Sequence, residues 1–129
     1  MGTLKRAISA DASVVASFLD ATDIVGEIEK IHKTSAVVTA ALGRLSIACS
    51  LIGYSLKGDD DSVTVRMDGG GATGALIAVA DSHGNVRSYV SNPVVEIPLN
   101  SYGKLDVAGA VGKDGTLSVI KDLGLKEPY

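Results

Sequence analysis

The chain has 129 residues, 46% hydrophobic and 21% charged, with a formal net charge of −3 and a pI of about 5.2. This is the balance of one globular domain, with enough apolar surface to offset the entropy of ordering; it excludes a disordered chain and a concentrated basic patch for nucleic acid. Only 4% of the residues are aromatic and none is Trp, so Val, Ile, Leu and Ala must build the core.

The chain opens as a hairpin. Leu4, Arg6 and Ile8 alternate with Lys5, Ala7 and Ser9, Asp11-Ala12 offers a turn, and residues 14–19 are largely apolar with β-branched Val at their start. A helix follows, with Thr22 or Asp20 as N-cap and Asp23 near the positive end of the helix dipole. Ile24, Val25, Ile28 and Ile31 fall on one of its faces; Glu27, Glu29 and Lys30 fall on the other. Thr34 or Ser35 starts a second helix that runs to about Leu56, with Gly58 as its stop signal. That helix is apolar almost all round and rich in small residues, among them Ala40, Ala41, Gly43, Ala48 and Gly53. Such a helix is expected in a core, with other backbones packed closely against it. It is also long enough to span a bilayer, but Arg44 near its middle would cost about 2.5–3.5 kcal/mol there, so no membrane is expected.

Strands fill the second half. Val63, Val65 and Met67 alternate with Ser62, Thr64, Arg66 and Asp68, the mark of a half-buried strand. Residues 75–80 are continuously apolar and read as a strand buried on both faces. Asp81-Ser82-His83-Gly84-Asn85 is a turn, and residues 86–91 return as the partner strand. Pro98 confines residues 94–105 to a sheet edge or a loop. Asp114-Gly115 predicts a hairpin turn joining residues 107–111 to 117–121, and Gly124 and Pro128 suggest that the chain then leaves the sheet. Strands and helices are segregated rather than alternating, which predicts an α+β fold with a layered antiparallel sheet.

No group of residues assembles an active site. Gly69-Gly70-Gly71-Ala72-Thr73-Gly74 invites a phosphate-loop reading, but a strand follows where a helix is needed, and no Lys is present; a hairpin connection is expected. Asp59-Asp60-Asp61 lacks calcium-loop spacing and reads as a solvated loop. His32 and His83 have neither metal-ligand nor nucleophile partners in the sequence. Cys49 is the sole cysteine; inside the apolar helix it is expected to be an inert small hydrophobe, and alone it can form neither an internal disulfide nor a cysteine zinc site. No catalytic, cofactor or metal residue is therefore assigned. No leader peptide is read in residues 1–10, and the expected compartment is the cytoplasm.

Several stretches, in order, resemble the 33-kilodalton heat-shock protein family, the redox-regulated holdases of bacteria. Thr39-Ala40-Ala41-Leu42-Gly43-Arg44 resembles its core-helix signature, and Lys57-Gly58 closes that helix. Gly84-Asn85-Val86-Arg87 with Tyr89-Val90-Ser91-Asn92-Pro93 resembles its central hairpin. Gly112-Lys113-Asp114-Gly115, Val119-Ile120-Lys121-Asp122-Leu123-Gly124 and Lys126-Glu127-Pro128-Tyr129 resemble a later part. The resemblance implies an ATP-independent chaperone that holds unfolding proteins during heat and oxidative stress. It also implies a C-terminal set of cysteines that binds zinc when reduced and, once oxidised, releases it, unfolds a linker, exposes apolar surface and lets the protein dimerise; losing a metal that is coupled to folding does unfold its segment. Residues 1–129 lack those cysteines, so the chain is expected to be the N-terminal core without its zinc-binding switch domain. Its partners are expected to be unfolding proteins and further copies of itself, as a homodimer or an intertwined or edge-paired oligomer. Client-binding residues cannot be named from the sequence. The competing reading is a small-molecule or catalytic domain using the loop from Gly69 to Gly74. A deep polar pocket containing His83, Asp81 or Arg66 would favour the second reading; a broad apolar groove without converging polar groups would favour the first.

Overall fold

A computed structural model describes residues 3–125. The elements, in chain order, are β1 (Thr3–Ile8), β2 (Val15–Asp20), α1 (Thr22–His32), α2 (Ala36–Tyr54), β3 (Ser62–Asp68), β4 (Leu76–Asp81), β5 (Val86–Val90), α3 (Val107–Val111) and β6 (Thr116–Asp122). The fold is α+β, as expected. β1 and β2 form an antiparallel hairpin, and a second antiparallel sheet has the order β5-β4-β3-β6. Pro128 and the resembling segment at 126–129 lie outside the described residues.

The first hairpin turns on Asp11. Its carboxylate accepts hydrogen bonds from Ser9 Oγ at 2.7 Å, Ser13 Oγ at 2.7 Å and the Ser13 N–H at 3.2 Å. Those bonds, Ser9 first, hold the carboxyl down from 3.8 to about 2. They also fix the turn in which Ala12 adopts a φ of 59°. Leu4 faces Leu19 across the hairpin, while Ile8, Val15 and Phe18 stay exposed.

α1 starts one residue away from both expected caps. Ala21 occupies the cap position, and Asp20 Oδ1 accepts from the Thr22 N–H at 3.2 Å and from Thr22 Oγ1 at 2.8 Å. Of the predicted apolar face, Ile28 is buried and Ile24 packs on the core, but Ile31 is 63% exposed. Lys33 ends the helix at a φ of 54°, its N–H bonded to the Glu29 carbonyl.

α2 is the core helix. Val38, Leu42 and Cys49 are wholly buried on it. Gly53 allows it to touch the sheet: an added Cβ would lie 2.8 Å from Ala80 Cβ and run into the Asp81 carbonyl. The helix ends at Tyr54, short of the expected Leu56, and Gly58 is not its stop. Ser55 and Leu56 donate their N–H groups back to Ile52 and Gly53, closing the last turn without a left-handed residue. Gly58 belongs to the next loop, where its N–H bonds the Asp61 carboxylate at 2.9 Å. At the other end, Ser35 binds the backbone of Val95 twice, through donation to its carbonyl and acceptance from its N–H, each at 2.9 Å. This clip holds the irregular segment after β5 against the core, where Val95 is buried.

Two strand expectations change. β4 is buried on one face only: Leu76, Ala78 and Ala80 are covered, while Val79 is 37% exposed. All the described helices that pack on the sheet share one side of it, as an antiparallel sheet permits. Residues 107–111 are not a strand either. They form α3, because Asp106 caps the Gly109 N–H at 3.0 Å and small residues let the turn dock on the glycine loop. β6 therefore pairs with β3, not with residues 107–111.

Candidate apolar groove

The expected polar residues do not converge. Asp81 spends its carboxylate on its own turn, accepting from the N–H groups of His83 at 2.9 Å and Asn85 at 3.0 Å, and from Asn85 Nδ2 at 3.1 Å. Desolvation raises its pKa, but these bonds outweigh it, and the net shift is downward. Arg66 lies on the outer face of β3 and pairs with Asp68 at 3.6 Å in an exposed bridge. His83 borders a small pocket of about 300 Å³ with Leu4, Leu19 and Tyr54, away from Arg66. Asp61 binds the Gly58 N–H, and Asp59 contributes its backbone carbonyl to Ser82 Oγ at 3.1 Å. Among the described residues, no three His, Cys, Asp or Glu side chains meet as a metal set. Cys49 is fully buried, and desolvation pushes its thiol up to about 11, far from a reactive thiolate.

Four N–H groups of the glycine loop are bonded within its own chain. The Gly71 and Thr73 N–H groups donate to the carbonyls of Val111 at 3.0 Å and Ala110 at 3.1 Å. Gly70 N–H bonds the Asp68 carboxylate, and Gly74 N–H bonds the Gly71 carbonyl. A phosphate would need those same donors. A Cβ at Gly69 or Gly71 would overlap the backbone of residues 110–112, so the glycines serve the docking of α3.

The apolar surface does converge. Register places Leu117 of β6 beside Met67 and Val119 beside Val65, on the face that carries the core. α2 lies over the β4 side of the sheet and leaves this flank open. Between α2 and β6 runs a groove of about 340 Å³, lined by Leu45, Ala48 and Ile52 of α2, by Val65, Met67 and Leu76 beneath, and by Val107, Val111, Leu117 and Val119. Arg44, exposed on α2, is the one charged residue in its lining. Leu117 and Val119 are 54% and 43% exposed although they point to the core side.

Among the described residues, no strand pairs with the outer edge of β6, which borders the groove. In β4 the backbone bonds of Asp81 and Ala75 run to β5, so by antiparallel alternation Leu76, Ala78 and Ala80 bond to β3. Ser62, Thr64 and Arg66 of β3 then bond to β6, leaving the backbone groups of Leu117, Val119 and Lys121 pointing outward. Sequence reasoning missed these residues because their exposure depends on where α2 lies.

The model of the Hsp33 protein family matches residues 2–129. The chain belongs to the Hsp33 family. It is 50% identical over 127 residues to the 33 kDa chaperonin of Bacillus subtilis, covering 98% of this chain and 43% of that protein. It is 49% identical over 129 residues to the 33 kDa chaperonin of Bacillus velezensis, covering 100% of this chain and 44% of that one. The crystal structure of the Thermotoga maritima 33 kDa chaperonin superposes with a TM-score of 0.91 at 37% identity, over 98% of this chain and 43% of that structure's chain. The chain thus spans less than half the length of these Hsp33 relatives. They are named as chaperones, not as enzymes.

Proposed function

We propose that this chain is the core of an ATP-independent, redox-regulated holdase that binds unfolding proteins in the cytoplasm during heat and oxidative stress. One observation carries the reading: an open apolar groove beside a strand edge that, among the described residues, is unpaired, with no acid, base or nucleophile in the groove's lining. An extended segment of an unfolding protein can add to β6 through its backbone and lay alternate side chains against Leu117 and Val119. Backbone pairing is indifferent to sequence, which suits a protein that must accept many clients.

The switch is proposed to lie outside residues 1–129, in the remaining length of the full protein, where cysteine thiolates hold zinc when reduced. Zinc there would couple that segment's folding to its redox state; the groove takes no part in ligation. The core is also proposed to self-associate. The test is light scattering from a thermally unfolding client, with this chain and with its full-length parent. Protection by the parent only after oxidation, with release of zinc, is the expected result. Equal protection by the reduced parent would overturn the redox control, and none in either state would overturn the holdase reading.

A further inference from the structure

The β1–β2 hairpin is braced within itself and lightly attached to the body. Its strands pair from Thr3 against Asp20 to Ile8 against Val15. Asp11 ties the tip, and the Ser9 N–H bonds the Val14 carbonyl at 2.8 Å. Among the described residues the hairpin joins no other strand. None of its strand residues is buried; only Leu4, Ala16 and Leu19 are half-buried. Beneath Leu4 and Leu19 lies a space of about 300 Å³, bounded by Ile24, Ser50, Tyr54 and the turn at 83–86. Such a gap forfeits the dispersion contacts that would hold the hairpin down. The Arg6 guanidinium, by contrast, sits over the Tyr54 ring, 5.7 Å from its centre. Ala21 alone separates β2 from α1, and it is buried, so it fixes the point about which the hairpin can turn.

We propose that the hairpin is a flap that swings as one piece about Ala21, with Arg6 on Tyr54 as its latch. Hinges are commonly a residue or two at the end of an element, which is where Ala21 stands. Closed, the flap covers Ser50 and half-covers Ile24. Open, it presents Leu4, Leu19, Ile24 and Tyr54 to solvent while α2 and the four-stranded sheet stay packed. Little apolar area is uncovered, so the flap opens far more often than the core unfolds. None of these four residues lines the groove between α2 and β6. The chain therefore carries two apolar surfaces of different kinds: the groove is always open, and the one under the hairpin is gated.

Thiol labelling of Ser50→Cys tests this. Ser50 is 2% exposed and lies beneath the flap. Its neighbour Cys49 is fully buried against β3, so in the same chain it reports unfolding of the core. With a bulky maleimide, and the labelled site read by mass spectrometry, position 50 is expected to react about a hundredfold faster than Cys49 or more. Arg6→Ala frees the latch without altering the pocket lining. Added to Ser50→Cys, it is expected to speed labelling about two- to fivefold, while Arg6→Lys keeps the slower rate. Asp11→Asn loosens the tip and is expected to leave the rate unchanged, because the flap moves as one piece. Equal rates at positions 49 and 50, or a rate at 50 that ignores Arg6→Ala, overturn the flap. Faster labelling with Asp11→Asn overturns its movement as one piece. Ser50→Cys gives up the hydroxyl's bond to the Gly84 carbonyl, so its folding is checked by circular dichroism. Methyl relaxation dispersion on the wild-type chain gives a reading without it: Leu4, Leu19 and Ile24 are expected to share one exchange process that Leu42 lacks. Methyls that exchange independently, or not at all, overturn the flap as well.

Discussion

The two flanks of α2 share one helix and one sheet, yet one is closed and the other open. Toward β4, Gly53 brings the helix backbone against Ala80 and Asp81, and Ala78 and Ala80 are sealed. Toward β6, small Ala48 and exposed Arg44 leave a gap that Leu117 and Val119 do not fill. The closed flank stabilises the fold. The open flank carries apolar residues of the same kind that stay exposed among the described residues, as binding surfaces do.

That contrast can be broken at several points. The largest effect is expected at Leu42, fully buried on α2: Leu42→Ala should cost about 2–5 kcal/mol, read from urea unfolding. Gly53→Val forces a side chain into the Asp81 carbonyl and should cost about 1–3 kcal/mol by the same measurement. On the open flank, Leu117→Asp with Val119→Asp should change stability by only about 0.5 kcal/mol, yet abolish protection of a client in the scattering assay. If the double variant unfolds the chain, the two flanks are not distinct.

The smallest effect lies outside both flanks, at Asp11. Its folded pKa is depressed, so its stabilising contribution is full above the ordinary 3.8 and is lost as the pH falls toward about 2. The stability difference between wild type and Asp11→Asn should shrink over that window. A difference independent of pH would remove the carboxylate from the turn's account.

The closed flank was largely legible in the sequence. The all-round apolar run around Arg44 marks a core helix, and alternation at Val63, Val65 and Met67 gives β3 its buried face. The open flank was not. Residues 107–111 begin and end in Val and precede Asp114-Gly115, so local pattern favours a hairpin; the Asp106 cap and the contact with Gly69 and Gly71 decide for a helix. Once α3 forms, β6 must find β3, a pairing about fifty residues away with no local signal. The groove exists only because of that pairing and of the side of the sheet α2 covers, which is why no client-contact residue could be named beforehand.

Amide hydrogen exchange of the chain, with and without an unfolding client, tests the central claim most directly. Leu117, Val119 and Lys121, whose N–H groups face outward from β6, should slow when the client is present. Client binding that leaves these three amides unchanged and protects other strands instead would contradict the assignment of the groove.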